Sequence, residues 1–224
     1  ALMNDREENG ETIKGFRNTD NPEIFVNANS DVPYNGTYKF KKDLPTAFAD
    51  SIFNLNEGEV FGPYKDGEAY KLSKLVESRQ IPDSVKAKQI FITYSGLETA
   101  TNVERTKEEA KALTDSLLVE LKKDRKKFVT FAGAFSADER SAANGGDLGY
   151  LTPQGMTPDF ANLFDYIWDN KTGDIGVVET RYGFHIIEID EQKNRQNAVK
   201  VATIVKEIEA SEDTNNDLYT ETTK

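Results

Sequence analysis

Short segments occur twice along the chain in the same order, and this repeat constrains the fold more than any other feature. In each copy a proline precedes a helix with paired aromatic residues, and an acidic–glycine–acidic turn, a strand, a glycine turn and a closing strand follow. The copies occupy residues 45–75 and 158–189, and their turns NEGEV and KTGDI align Gly58 with Gly173. This order predicts two related modules, each built from both helix and strand.

Composition and charge exclude several kinds of site. The 224 residues include 39 acidic and 28 basic side chains, a formal net charge of −11, with no cysteine and a single histidine, His185. These counts exclude a structural zinc site, a thiol nucleophile and a disulfide framework, and leave only carboxylate-based metal sites open. The acidic balance argues against a nucleic-acid surface, and no run approaches the ~18–20 apolar residues that cross a bilayer.

The length allows one or two domains. Residues 1–22 are polar without periodicity, which predicts a loosely ordered lead-in, and they have neither the basic nor the apolar region of a signal peptide. We expect an aromatic-rich module at 23–80, a linker at 81–83, and a C-terminal segment at 193–224, in which a strand precedes a helix that begins at Ser211. The polar start and this truncated last helix are typical of a fragment of a longer chain.

Local patterns predict the elements of the second half. Residues 87–93 alternate as a strand does, and Thr106 and Glu109 form a capping box that begins an amphipathic helix. The basic run that ends this helix suits the negative end of the helix dipole better than it suits a nucleic-acid patch. Other predicted elements are helices over 128–135 and 158–168, a polar loop over 136–149, and strands over 175–178, 184–189 and 198–208.

The residues alone indicate three candidate sites, each with a purely structural alternative. The segment around Gly145 and Gly146 permits positive φ angles, but it lacks the lysine and the spacing of a phosphate-binding loop. His185 lies on an apolar strand, where a satisfied core histidine is the ordinary outcome, and no nucleophile elbow accompanies it. A third set is either core or an apolar pocket beside the glycine-rich segment: Leu148, Leu151, Met156 and Phe160.

Four segments in consistent order resemble one protein family. They are KAKQIFI, FAGAFSADERSAANGGDLGYL, GMTPDF and ETRYGFHIIEI. These resemble the first strand, the loop, the glycine–hydrophobic–x–Pro–x–Phe segment and the terminal strand of parvulin-type peptidyl-prolyl cis/trans isomerases. The resemblance covers residues 84–190 and implies a parvulin-like α+β domain at 84–192, with a four-stranded, mainly antiparallel sheet, surrounding helices, and neither metal nor cofactor.

The resemblance also implies roles for individual residues. Asp138 would face the reacting amide, His185 would be the histidine of the terminal strand, and Thr180 would hydrogen-bond the histidine pair of the family. The pocket for the substrate proline would be lined by Leu148, Met156 and Phe160, with Leu151 beside them.

Two positions depart from the family pattern. Gln89 stands where members usually have a second histidine, and the turn before Tyr182 is a residue short. Gln89 would then take a place in the catalytic set without being able to carry charge or share a proton. We therefore expect weak to moderate isomerase activity.

The first module, at 23–80, resembles only the C-terminal half of such a domain. It lacks the GGDLG loop, and the alignment of the two turns puts Tyr70 where the second copy has His185. We expect this degenerate module to be catalytically silent and to contact polypeptide. Tandem modules of this family are typical of folding factors of the bacterial cell envelope.

The resemblance implies a periplasmic isomerase that assists the folding of secreted or outer-membrane proteins. Its partners would be unfolded or nascent proline-containing polypeptides, without nucleic acid or a small-molecule cofactor, and with any membrane anchor in flanking segments rather than in this chain. The alternative function is that of a client-binding chaperone segment whose parvulin fold has little or no turnover.

Overall fold

A computed structural model describes residues 2–97, 100 and 102–208. The helices are α1 (Pro22–Asn29), α2 (Ala49–Phe53), α3 (Lys107–Lys123), α4 (Phe128–Phe135), α5 (Glu139–Ala142) and α6 (Ala161–Asp169). The strands are β1 (Arg6–Glu8), β2 (Glu11–Ile13), β3 (Tyr38–Lys39), β4 (Val60–Asp66), β5 (Ala69–Ile92), β6 (Asp147–Leu151), β7 (Ile175–Thr180) and β8 (Gly183–Glu207). None of the helices in the described residues is long and apolar enough to cross a membrane. The helix expected at Ser211 lies outside those residues.

The chain divides into two compact units. The first unit holds the residues up to Ser78 together with those from Val199 onward, and the second runs from Arg79 to Ala198. The long strands β5 and β8 therefore contribute residues to both units. The strand expected over 198–208 is the last part of β8 and groups with the first unit.

Residues 81–83 continue strand β5 in place of the expected linker. Ile81 and Pro82 are buried, and the Pro82 carbonyl accepts a hydrogen bond from the Trp168 indole Nε1 at 3.1 Å. A proline removes one backbone donor from a strand but leaves its carbonyl available, so its presence alone does not end the strand.

Residues 2–22 are more ordered than their composition predicts. Strands β1 and β2 pair as an antiparallel hairpin, and Phe16 is fully buried in a cluster with Val26 and Ile204. The side chain of Lys74 is buried, and its ammonium group donates to the backbone carbonyls of Phe16 and Arg17. One buried ring and a few backbone contacts thus order a segment that shows no hydrophobic period.

Both units have the same strand order. In the first unit the order is β3–β8–β5–β4, and in the second it is β6–β5–β8–β7. The outer strands pair antiparallel with their inner neighbours in both units. The second unit thus has the four-stranded α+β arrangement expected from the sequence, while the first unit takes one inner strand from the end of β8.

In both copies of the repeat, the glycine of the turn makes the same backbone hydrogen bond to the last strand of the copy. The Gly58 amide donates to the Leu75 carbonyl at 2.8 Å, and the Gly173 amide donates to the Ile189 carbonyl at 2.7 Å. Both glycines have φ near +90°, at 87° and 91°. In this conformation glycine is favoured over other residues, which explains why each turn carries one.

The hairpin register corrects the sequence alignment by one residue. The last pairs before the two hairpin turns are Asp66–Ala69 and Thr180–Gly183. Counted from these turns, Lys71 holds the position of His185, and Tyr70 does not. The first copy has an extra residue at an irregularity between Phe61 and Tyr64, which shifts the count. Tyr70 is 54% exposed, as expected of a side chain on the other face.

The core of the second unit determines which face of its sheet is available for a site. Its buried members are Ile90, Ile92, Phe184 and Ile186 from the sheet and Ala110, Leu117, Leu121, Phe128 and Ala132 from α3 and α4. Because side chains alternate across a strand, Gln89 and His185 point to the opposite face.

Helix α3 begins and ends as the sequence predicts. The Glu109 amide donates to Thr106 Oγ1 at 3.2 Å, and Glu109 Oε2 accepts from the Thr106 amide at 2.8 Å. At the other end, Lys123 and Lys127 both donate to Glu120, and these hydrogen bonds lower the pKa of Glu120 to about 2. The basic run is thus partly engaged in ion pairs with its own helix.

Glycine substitutions next to the site test how closely the second unit is packed. Gly146 and Gly149 both have positive φ, at 87° and 70°. A Cβ on Gly146 would lie 2.6 Å from the Gln89 carbonyl oxygen and 2.8 Å from the Phe128 ring, whereas a Cβ on Gly149 meets nothing within 4 Å. Gly149→Ala should therefore cost about 1 kcal/mol of unfolding free energy and Gly146→Ala roughly 3 kcal/mol. Chemical denaturation measures both, and equal losses would contradict the close approach at Gly146.

Candidate active site

His185 is held at both of its ring nitrogens. It lies on β8, is 3% exposed, and has its Nε2 at 2.8 Å from Thr180 Oγ1 and its Nδ1 at 3.0 Å from Gln89 Oε1. Burial lowers the pKa of His185 to about 4, and the negative charge of Asp138 opposes this shift only in part. The imidazole is therefore neutral at neutral pH.

The Gln89 amide fixes the tautomer of this imidazole. Gln89 Nε2 donates to Asp138 Oδ2 at 2.8 Å, so Gln89 Oε1 faces the ring. Because an amide oxygen only accepts, His185 Nδ1 carries the proton and donates it. Nε2 then has the lone pair and accepts from the Thr180 hydroxyl, whose oxygen accepts in turn from the Tyr182 amide at 3.2 Å. All these hydrogen bonds therefore run in one direction, toward Asp138.

Asp138 ends this chain of hydrogen bonds at the start of α5. Ser141 donates to it twice, from Oγ to Oδ2 at 2.6 Å and from its amide to Oδ1 at 3.3 Å. Burial raises the pKa of Asp138, but the hydrogen bonds from Ser141 and Gln89 outweigh burial and hold the pKa below its usual value. Asp138 is thus a half-buried carboxylate that is ionised at neutral pH. Within the described residues, no three acidic or histidine side chains converge as a metal site requires.

Aromatic rings border the imidazole. Phe91 stacks on His185 with ring centroids 4.6 Å apart and planes at 15°, while Phe160 meets it edge-on at 6.5 Å and 86°. Phe160 also stacks on Tyr182 at 5.1 Å. An apolar wall therefore adjoins the polar chain, and Tyr182 is part of that wall.

The other pocket residues predicted from the resemblance are half-buried. Leu148 and Leu151 lie on β6, and Met156 follows a short 3-10 turn at Pro153–Gly155. β6 pairs with β5, and just before it the Gly146 carbonyl accepts from the Gln89 amide at 2.8 Å. The joining of these three side chains with Phe160 in one pocket stays a prediction.

The segment expected as a loop over 136–149 contains α5 and the start of β6. Sequence reasoning also missed Ser141 and Phe91. The D-x-x-S spacing from Asp138 is an N-cap signal that could have identified Ser141. Phe91 follows Gln89 by two positions on a strand, and this places the two side chains on one face. A helix of four residues gives too little pattern to be recognised.

The titration of His185 tests the burial and the hydrogen bonds of the site. The pKa is lowered from 6.5 to about 4, so the folded chain binds fewer protons than the unfolded chain between these values. The stability that this group contributes is present above pH 6.5, is lost as the pH falls toward 4, and amounts to about 3 kcal/mol. As the chain has a single histidine, imidazole NMR resonances report its pKa without ambiguity.

Denaturation at pH 7 and at pH 4 completes this test. A His185→Asn variant lacks the titrating group, so it should lose about 3 kcal/mol less than the parent over the same range. An imidazole that titrates near the unperturbed value would contradict the buried, neutral state.

Comparisons with known proteins identify the family of the chain. Residues 70–193, more than half of the chain, match the family model of the PPIC-type PPIase domain. The chaperone SurA of Shewanella sp. strain MR-4 is 26% identical over 155 residues, which are 67% of this chain and 34% of that protein. The chain therefore spans about a third of the length of the curated relatives it matches.

Two solved structures of isomerases are also similar. One is the peptidyl-prolyl isomerase ESS1 from Candida albicans, at 22% identity and a TM-score of 0.43, covering 49% of this chain and 63% of that one. The other is the parvulin domain of PpiD from E. coli, at 23% identity and a TM-score of 0.37, covering 51% of this chain and 92% of that one. On the match to the family model, the chain belongs to the PpiC-type, or parvulin, family of peptidyl-prolyl cis/trans isomerases.

Proposed function

We propose that the second unit isomerises X–Pro peptide bonds of polypeptide clients without a covalent step. The observation that carries this proposal is the directional chain of hydrogen bonds from Thr180 through His185 and Gln89 to Asp138, bordered by the ring of Phe160. It places fixed dipoles and one carboxylate beside an apolar surface that suits a proline ring.

The barrier to rotation about the amide C–N bond is about 18–20 kcal/mol and arises from the double-bond character of this bond. An isomerase must lower this barrier. Rotation breaks this conjugation, so the twisted amide has a more basic nitrogen and a less polarised carbonyl than either planar form. A site that binds the twisted form better than the planar forms accelerates the reaction. A thousandfold acceleration needs about 4 kcal/mol of such preference, a magnitude that oriented polar groups can supply.

Different residues of the site have different roles in this proposed catalysis. Phe160 and Tyr182 provide one side of the proline pocket, which Leu148, Leu151 and Met156 complete. Asp138 and His185 set the polarity around the rotating carbonyl, and Gln89 and Thr180 are positioning residues for the imidazole. Because the polar groups already satisfy one another, little reorganisation accompanies the twist.

The clients and the compartment are part of this proposal. The relative SurA is named a chaperone, and this name supports polypeptide clients for the chain. The cell envelope is proposed from the resemblance to tandem parvulin-like folding factors. Within that frame we assign the chain to the periplasm and its clients to unfolded secreted or outer-membrane proteins. The first unit, as a partial module of the same family, is proposed to contact these clients without catalysis.

A second function, client binding with little turnover, is favoured by one residue. Gln89 stands where the family usually has a histidine, and its amide cannot gain or lose a proton. Under this alternative the second unit holds proline-containing segments and suppresses their aggregation.

Truncation of Phe160 distinguishes the two functions. In a protease-coupled assay on a proline peptide, Phe160→Ala should lower kcat/KM roughly 100-fold, because it removes about 2–3 kcal/mol of apolar contact with the proline ring. Phe135→Ala is the matched control, since Phe135 lies on α4 and is 38% exposed. Its kcat/KM should equal that of the parent. A parent without turnover that still suppresses client aggregation would favour the alternative.

Substitution at position 89 tests whether the glutamine attenuates activity. In Gln89→His, one ring nitrogen can donate to Asp138 and the other can accept from His185, and the new group can share a proton. We expect kcat/KM to rise at least about tenfold, equivalent to about 1.4 kcal/mol in the barrier. Gln89→Leu, which breaks both hydrogen bonds at similar size, should instead lower it. An unchanged kcat/KM in Gln89→His would show that the glutamine is not a cause of attenuation.

A further inference from the structure

The first unit contains a cavity of its own, of about 170 Å³. Part of its lining is apolar and includes Leu44, Ile52 and Val201. The polar part includes Lys39, Lys71 and the hydroxyl groups of Tyr64, Ser73 and Thr203. A space of this size takes one side chain or chain end rather than a whole cofactor.

The cavity lies where the repeat would place a site. Lys71 lines it and holds the hairpin position of His185, as the register of the two copies requires. Asp66 holds the position of Thr180, and Lys71 Nζ donates to Asp66 at 2.6 Å, as Thr180 contacts His185 in the second unit. The two corresponding positions are thus linked in both units, by an ion pair in one and by a neutral hydrogen bond in the other.

Lys39 is the unexplained group of this cavity. It lies on β3, is half-buried, and within the described residues makes no hydrogen bond or ion pair. Asp43, whose charge acts on Lys39, accepts a hydrogen bond from the Phe40 amide. Burial, and then the neighbouring charge of Lys71, lower the pKa of Lys39. Lys39 therefore has an acidic neighbour in Asp43 but no hydrogen-bonded counterion in the described part of the chain, and a ligand carboxylate that paired with it directly would offset the cost of its partial burial.

Hydroxyl groups extend this polar surface. Tyr64 Oη lies 2.8 Å from Ser73 Oγ, which lies 3.1 Å from Thr203 Oγ1. Tyr64 and Ser73 are buried, and since the two hydrogen bonds among these hydroxyl groups use two of their three protons, one proton remains for a ligand oxygen. Because Lys71 is paired with Asp66, Lys39 is the lysine of this cavity that lacks a direct ion pair within the described residues.

From this arrangement we infer that the cavity of the first unit binds a single carboxylate attached to an apolar residue of a polypeptide, with Lys39 as its counterion. The apolar lining holds the side chain, and the one available hydroxyl proton is donated to the second carboxylate oxygen. One lysine without a direct ion pair suits one carboxylate, and the net charge of −11 disfavours polyanions such as nucleic acids. The carboxylate belongs either to a chain terminus or to an acidic side chain, and the experiment separates these sources.

NMR titration of the full, ¹⁵N-labelled chain tests this site with three peptides. The first is acetyl-Ala-Ala-Leu with a free terminal carboxylate, the second is its C-terminal amide, and the third is acetyl-Ala-Leu-Glu-Ala amide. We expect one of the two carboxylate peptides to shift the amide resonances of Lys39, Ser73 and Thr203. The uncharged amide should bind about tenfold more weakly or worse, since it lacks the ion pair. Whichever carboxylate peptide binds more tightly identifies the source.

Two variants assign the binding to the lysine. Lys39→Met removes the charge and keeps the length, and should weaken binding about tenfold or more. Lys65→Gln removes a charge from an exposed position of the same unit and should leave binding unchanged. The unfolding midpoint of Lys39→Met should equal or exceed that of the parent, because a half-buried charge without a direct ion pair is lost.

Three results would each overturn the inference. They are the absence of shifts at these amides with either carboxylate peptide, equal binding of the uncharged amide, and undiminished binding by Lys39→Met. Turnover of a proline peptide by the second unit is measured on the same samples. Its presence or absence leaves the inference unaffected, since the cavity does not rest on the proposed isomerase activity.

Discussion

The primary amide of Gln89 is the constraint on which the rest of the site depends. It has one donating end and one accepting end, and these lie between a carboxylate and an imidazole. Asp138 can only accept, so the orientation of the amide is decided, and with it the tautomer of His185 and the direction of the Thr180 hydroxyl. The position of a single proton on the imidazole thus follows from the charge of Asp138, two hydrogen bonds away.

The two units show one architecture with two kinds of chemistry. Both have the same strand order, and each joins a helix to a hairpin through a glycine turn. The corresponding hairpin positions hold neutral Thr180 and His185 in one unit and the ion pair of Asp66 and Lys71 in the other. Within the described residues, the first unit therefore lacks the neutral, oriented chain of hydrogen bonds of the second unit, and we infer that its Lys39 suits a negatively charged partner.

Sequence patterns predicted those parts of the molecule that local rules determine. The capping box of α3 and the turn at Gly173 depend on neighbouring residues and lie where they were expected. The family motifs predicted that Gln89 and His185 lie in one site. The order of motifs in a known fold carries information about contacts between residues that are distant in sequence. The sequence alignment of the two copies was wrong by one residue in the first hairpin. The cause is a strand irregularity, which cannot be recognised in an alternating pattern of residues. The order within residues 2–22 depends on the single buried ring of Phe16 and on a few backbone contacts, and neither leaves a hydrophobic period in the sequence.

A site of this composition has one protonation state over a wide range of pH. The pKa of His185 is lowered to about 4 by burial, and that of Asp138 is lowered by its hydrogen bonds, so neither group changes charge near neutrality. A second histidine at position 89 would add a group whose unperturbed pKa is about 6.5 and would make the polarity of the site depend on pH. The glutamine removes that dependence together with any shared proton. The proposed attenuation of rate and the loss of pH sensitivity would therefore have the same physical origin, the inability of an amide to ionise.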